Sequence, residues 1–465
     1  MEQKLDSKHK ALKINLDNNI YGSFAEIGAG QEVARTFFQA GGAAGTMAKS
    51  MSAYDMIMSD TIYGKEKSGR YVCEDRVVRM LGHEFDILKD RLGPHRGKET
   101  KFFAFADTVA AKSYKGTGRC HGWFGVRFQH EPGAEYSEVI VHIRMHDNQN
   151  ILQQKAVGIL GTNLIYACFF HSNSHEEFVD TLMDDLTIER VSIDMIRARG
   201  DAFKGIDSRL LSLELVKKEY TQAILFDNNG EATEPSDVLY KKNLMVLRGS
   251  FRPPTHVNMD MLKTGLECFK SDLANDETEN IIVLPEISMN KLVERGSVDN
   301  NDFLARIDLL NELNHKCLVT GMTGYSTLLS YLSGMSKKKL AVVLGIYNLM
   351  EVFDVSDPNK NILKVIGDVA NNNTTMYVYP AQDEKTKKII DSKAALNENE
   401  NKELLEFLLD RSWLKDMKSF DPTFFTIWSR KVLKLIETGD KSWESMVPEV
   451  VKKAVIKNKL FDYKD

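Results

Sequence analysis

Apolar positions recur at helical spacing through much of the first hundred residues. EVARTFFQA (residues 32–40) places them three and four apart and stops at Gly41-Gly42, a helix-ending signal. CEDRVVRMLGHEFDILKDRL (residues 73–92) reads as a second amphipathic helix closed by Gly93-Pro94, and residues 10–95 are expected to be mostly helical. The rhythm changes between 101 and 146. KFFAFADTVAA, HGWFGVRFQH and SEVIVHIRMH are aromatic and β-branched with two-residue alternation, and the turn EPGAEY joins the last two as an antiparallel hairpin. Helical spacing returns at 153–170 and 175–183. TQAILFDNNGE then reads as a strand running into a tight turn at Asn228-Asn229-Gly230.

From residue 243 the pattern becomes strand, loop, helix. LMVLRG, NIIVLPE, CLVTGM, LAVVLG and TMYVYP are the strands, and four of them are unbroken apolar runs, as parallel strands buried on both faces require. Helical segments at 259–269, 301–314 and 326–333, and a looser one at 348–370, separate them. The chain is therefore expected to be α/β. An N-terminal α+β domain with an antiparallel hairpin (1–235) precedes a doubly wound, Rossmann-like parallel sheet (240–382), and a helical C-terminal extension follows (383–465).

Composition narrows the function classes. A chain of 465 residues exceeds one ordinary core, and a formal charge of −5 with interspersed signs lacks the basic footprint of a nucleic-acid binder. No run approaches the roughly 18 apolar residues of a membrane span. The N-terminal MEQKLDSKHKALKINLDNN does not resemble a secretory leader, which points to the cytoplasm. The five cysteines are scattered without a CxxC, as expected of reduced thiols.

Eight of the eleven histidines fall between His83 and His175. On the hairpin, alternation puts His121, Trp123 and Arg127 on one face with His142, Arg144 and His146. Arginines fork anions, imidazoles move protons and indole stacks on bases, so an anion or nucleotide surface is one reading. A solvent-facing or helix-covered hairpin is another. A metal centre is a third, although His142 and His146 would stand about 13 Å apart along a strand, and no metal set is assigned. Gly28-x-Gly30 in EIGAGQEVAR lacks the third glycine of a dinucleotide fingerprint and a clear preceding strand, so it reads as a glycine turn that starts a helix.

The loops at the strand ends of the sheet carry the second set of candidates: Gly249, Ser250, Arg252, Thr255, His256 and Asn258 from GSFRPPTHVN, then Glu286, Thr320, Thr323 and Ser326, with Tyr347, Asn348 and Tyr379 beyond. This stretch resembles the first motif of the nucleotidyltransferases that include nicotinate-nucleotide adenylyltransferases, Gly-Thr-Phe-Asp-Pro-x-His/Thr-x-Gly-His. Gly249, Phe251, Pro253 and Thr255 match, and Ser250 is a mild change. Arg252 replaces the acid, Val257 the glycine that lets a phosphate approach, and Asn258 the histidine that stabilises the transferring phosphoryl group. The later Ser-Thr-x-x-Arg motif has only a poor counterpart in Thr426-Ile-Trp-Ser429-Arg430.

Over nearly its whole length, through HRGKETKFFAFADTVAAKSY, CHGWFGVRFQ, FAEIGAGQEVARTFF and GSFRPPTHVNMDML, the chain resembles a family of uncharacterised bacterial and algal proteins. That family often carries the adenylyltransferase label, or a TonB-dependent receptor label. The receptor label conflicts with an α/β half. The resemblance implies a nucleotidyltransferase-like fold that binds a small-molecule nucleotide, with ATP and Mg²⁺ as cofactors if adenylyl transfer survives the altered motif. The alternative is a non-enzymatic scaffold on an inherited nucleotide-binding fold, working as a homo-oligomer or with a protein partner.

Overall fold

IYGSFAEI (Ile20–Ile27, β1) lies inside the stretch expected to be helical, and it is a strand. Its two-residue alternation is hidden because residues on both faces are buried, Glu26 among them. In the computed structural model, which describes residues 4–464 apart from 115, 117, 295, 354–361, 372, 384 and 397–401, the chain divides into units Met1–Gln222 and Ala223–Asp465. The boundary expected between 235 and 240 thus falls earlier, because the strand read in TQAILFDNNGE pairs within the second unit's sheet.

In the first unit the principal elements are α1 (Ser7–Asn15), β1, α2 (Glu32–Ala40), β2 (Met47–Met51), α3 (Met56–Tyr63), α4 (Glu74–Arg96), β3 (Lys101–Ala110), β4 (His121–Phe128), β5 (Ser137–Met145), α5 (Asn150–Phe170), α6 (His175–Leu182), β6 (Val191–Arg199) and α7 (Ser208–Lys217). They form a six-stranded sheet in the order β2-β1-β3-β4-β5-β6. β1 runs parallel to β2 and β3, and the rest is an antiparallel meander. The expected hairpin is β4–β5. α4 continues past Gly93-Pro94 to Arg96 with Pro94 in its last turn.

Phe24, Phe103, Phe105, Phe124 and Phe128 are fully buried, and Phe24 meets Phe37 of α2 while Phe103 meets Phe169 of α5. Each such ring contributes about 1.5–3 kcal/mol of transfer free energy. α4 packs close to Gly125 of β4, where a Cβ would come within 2.5 Å of Leu81. On the parallel pair, Glu26 lies in register with Asp107, and both are buried. Gly28, just after β1, has φ +106°, and a Cβ there would come within 1.9 Å of the Val109 carbonyl oxygen, so only glycine fits.

In the second unit the principal elements are β7 (Ala223–Phe226), β8 (Ala232–Thr233), β9 (Asn243–Arg248), α8 (His256–Ser271), β10 (Ile281–Ser288), α9 (Asn300–Glu312), β11 (Cys317–Thr320), α10 (Tyr325–Met335), β12 (Leu340–Gly345), α11 (Ile346–Val352), α12 (Ile362–Asn371), β13 (Thr374–Tyr379), α13 (Lys402–Asp410), β14 (Leu414–Asp416), α14 (Ser429–Thr438) and α15 (Glu449–Asn458). The sheet order is β14-β13-β12-β9-β10-β11-β7-β8. Strands from β14 through β11 are parallel, and β7 and β8 add an antiparallel edge.

This is the expected doubly wound sheet. The chain leaves β9 in one direction, returns to the other side of β9 at β12, and so creates a topological switch point between them. The looser helical stretch expected at 348–370 is two helices, and residues 354–361 between them lie outside those described, as do 384 and 397–401 of the expected connector. The C-terminal extension is not a separate domain. It supplies β14 to the sheet, and Val432, Ile436, Trp443 and Val451 form a small core with Leu309 of α9. Among the described residues, no helix is long and apolar enough to cross a membrane.

Candidate functional site

A cavity of about 820 Å³ opens at the switch point of the second unit. That volume lies within the range of small-molecule sites. Gly249 and Ser250 after β9, Asn258 in the first turn of α8, Thr323 and Ser326 around the start of α10, Tyr347 and Asn348 after β12, and Tyr379 at the end of β13 all line it. These are sequence candidates brought together by the fold. Gly249 lets the Phe251 ring pack beneath the turn, since a Cβ would stand 3.0 Å from that ring.

The other five candidates, Arg252, Thr255, His256, Glu286 and Thr320, are used differently. Arg252 does not line the cavity. Its guanidinium pairs with Asp302 of α9, which also holds the fully buried Arg306. Arg306 in turn donates to the carbonyl oxygens of Lys291 at 2.6 Å and Ser250 at 3.3 Å, so this cluster fixes two loops rather than a phosphate. Thr255 is the fully buried N-cap of α8, and its N–H and hydroxyl both donate to Asn258 Oδ1, at 3.0 and 2.9 Å. Asn258 therefore closes a capping box while lining the cavity. His256 faces a different groove, stacked on Phe424 with centroids 5.2 Å apart and 10° between planes.

Glu286 is fully buried beneath the site, where it binds Arg248 through two hydrogen bonds, of 2.6 and 3.0 Å, and accepts the Thr320 hydroxyl at 2.5 Å. Arg248, which the sequence reading passed over, lines the cavity. It donates to the carbonyls of Met322 at 3.0 Å and Thr323 at 2.8 Å, and so ties the turn before α10 to the sheet.

Other cavity residues carry positive charge from distant parts of the chain: Lys291 after β10, Lys364 on α12 and Arg430 at the start of α14. Lys291 and Arg430 have no ion-pair partner among the described residues. Glu351 is the sole carboxylate among the described lining residues. α10, capped at Gly324, and α14, capped at Trp428, have no side-chain cap, and the first residues of both line the cavity. Their open N–H groups and dipole ends favour an anion. Val257 lines the cavity and also packs against the C-terminal core. Tyr347 and Trp428, both about half exposed, sit with ring centroids 5.5 Å apart at the mouth. Tyr379 turns its hydroxyl to Asp260 at 2.6 Å, and burial followed by that carboxylate pushes the phenol well above its ordinary value.

In the first unit the polar hairpin face forms as read, with Trp123, Arg127 and His142 buried, His121 and Arg144 half-buried and His146 exposed. Trp123 pairs across the strands with His142, His121 with Arg144, and Arg127 with Glu138. His121 Nδ1 lies 2.9 Å from His142 Nε2, His142 Nδ1 lies 2.5 Å from Asp194 on β6, and the Trp123 ring meets His142 at 4.7 Å. Asp194 also holds Arg144. Burial raises the Asp194 carboxyl, but His142 and Arg144 outweigh it and hold the group down to about 2. Arg127 makes two hydrogen bonds to Glu138, at 2.9 and 2.6 Å. Both guanidiniums thus already hold carboxylates, which favours the covered-hairpin reading over the anion-surface one. His146 stands apart on Ser192 at 2.8 Å, so it does not join His142 in a metal set.

No protein-family model matches the chain, and no curated protein matches it in sequence. Among solved structures, the chain is similar at 15% identity and a TM-score of 0.26 to the competence/damage inducible protein CihA from Agrobacterium tumefaciens, covering 36% of this chain and 98% of that one. A competence-damaged protein (CinA) superfamily member from Enterobacter cloacae matches at 12% identity and 0.26, over 36% and 94%. A candidate nicotinate-nucleotide adenylyltransferase from Vibrio parahaemolyticus matches at 13% identity and 0.21, over 48% of this chain and 97% of that one.

Proposed function

We propose that the second unit binds a phosphate-bearing small-molecule nucleotide in the switch-point cavity, with Lys291, Arg430 and the open N-termini of α10 and α14 around its phosphates. The observation that carries this reading is the convergence of two uncapped helix starts and two unpaired cations on one cavity at the sheet's switch point. Tyr347 and Trp428 offer ring faces for the base. ATP fits this donor set. With Glu351 as the one described carboxylate in the lining, Mg²⁺ would arrive on the phosphates rather than in a protein cage. Adenylyl transfer has weaker support, because Asn258 occupies the place of the family's second histidine and its oxygen caps α8. A cytoplasmic setting accords with this reading.

Calorimetry with ATP, ADP and NAD, followed by Trp428 fluorescence, tests the proposal. ATP is expected to bind and to quench the indole, and Lys291→Glu or Arg430→Glu to weaken binding about tenfold each, as the loss of one charge-assisted hydrogen bond predicts. Absence of heat and of quenching at millimolar nucleotide overturns it.

A protein-partner role has one observation of its own. Tyr54, Met56, Ile57 and Met58, in and beside α3, are all more than half exposed. Self-association through this patch predicts a dimer by light scattering that Ile57→Glu dissociates. A monomer at all concentrations removes this second reading.

A further inference from the structure

A separate group of metal-ligating side chains lies in the first unit, on helices rather than on the histidine-bearing strands. α6 opens with His175 and Glu176, after Ser174, whose hydroxyl accepts the Glu177 N–H at 3.3 Å. Glu214 projects from α7 and is 1% exposed. One ligand atom each from His175, Glu176 and Glu214 lies within 4.8 Å of the other two. His175 Nε2 stands 3.9 Å from Glu214 Oε1, and that nitrogen is buried with no hydrogen-bond partner.

A buried polar atom left unmet loses its hydration without recompense. Where such an atom persists, a water or an ion commonly satisfies it. The donor set distinguishes these occupants. One imidazole nitrogen and two carboxylates suit a borderline divalent cation such as Zn²⁺ or Co²⁺, whereas Mg²⁺ and Ca²⁺ take oxygen. Zinc ligand distances near 2.0–2.1 Å put tetrahedral donor atoms about 3.4 Å apart. The 3.9 Å separation therefore has to close by only a few tenths of an ångström.

We infer that His175, Glu176 and Glu214 form a site for a zinc-class divalent cation, with water in the fourth position, that clips the start of α6 to α7. Lys217, one turn along α7, is the built-in competitor. Its ammonium pairs with Glu214 Oε1, the oxygen nearest His175, and its side chain is 27% exposed, so it can swing to solvent when a metal arrives.

The full-length chain, stripped with chelator, is titrated with Zn²⁺ by calorimetry and with Co²⁺ by visible absorption. One equivalent is expected to bind. His175→Gln and Glu214→Gln should each weaken it at least about tenfold, the scale of losing a ligand-shell contact. Lys217→Met should tighten it roughly two- to fivefold, the worth of the ion pair it removes. Circular dichroism checks that the variants fold, and His175→Gln, at a helix start, keeps the test decisive if Glu214→Gln does not. No binding up to millimolar metal overturns the assignment. So does binding that His175→Gln leaves unchanged.

Discussion

Glu26→Gln is expected to flatten a steep pH dependence of stability in the first unit. Burial pushes the Glu26 carboxyl from 4.5 up to about 7, with Glu32 adding to the rise and the N–H groups of Val33 and Ala34 opposing it. Asp107, its register partner, is raised in the same direction by burial and then by Glu26. The folded chain keeps a proton that the unfolded chain has released. Stability from this group is therefore complete below pH 4.5, falls as pH rises, and levels off above about 7. The fall is about 3 kcal/mol at 1.36 kcal/mol per pH unit.

Glutamine removes that proton exchange, but its amide can accept only one of the two N–H groups at the start of α2. The variant should be about 1 kcal/mol less stable at pH 5 and more stable than the parent at pH 8. Hydrogen exchange of the β1 amides measures this. A parent protein equally protected at both pH values contradicts the argument.

The second large effect lies under the cavity. Glu286→Ala should destabilise the second unit by about 3–5 kcal/mol, because it strands a guanidinium whose side chain is 7% exposed. Arg248 would lose both hydrogen bonds to Glu286 and keep only the carbonyls of Met322 and Thr323. Those carbonyls belong to the turn that presents α10 to the cavity, so nucleotide affinity should fall with stability. The double variant Arg248→Met with Glu286→Ala should recover part of the loss, since no buried charge is then left alone. Urea unfolding followed through Trp413, Trp428 and Trp443, all in the second unit, measures both.

The second unit was legible because its strands are unbroken apolar runs with helical spacing between them, and that pattern alone fixes a doubly wound sheet. GSFRPPTHVN was found by its place between strand and helix. What Arg252 does was not legible, because its partner Asp302 lies fifty residues on and only packing brings them together. Lys291 and Lys364 escaped for the same reason, being isolated charges in sequence. Ser429 and Arg430 sit at the cavity although their segment matched the later motif poorly. In the first unit, β1 hid among helices because its carboxylate is buried, and Asp194 was missed with the strand that carries it.

The sheet order has a consequence for how the cavity comes into being. Its walls are laid down at residues 247–261, 288–291, 323–327, 345–352, 364–365, 379–381 and finally 425–430. During synthesis the first of these walls, β9 and the turn after it, is made well before the last, which follows about 170 residues later, roughly ten to thirty seconds at ribosomal speed. Until residues 425–430 are made, the growing chain carries a cleft that lacks Trp428 and Arg430. The cavity is therefore complete only when nearly the whole second unit has been made.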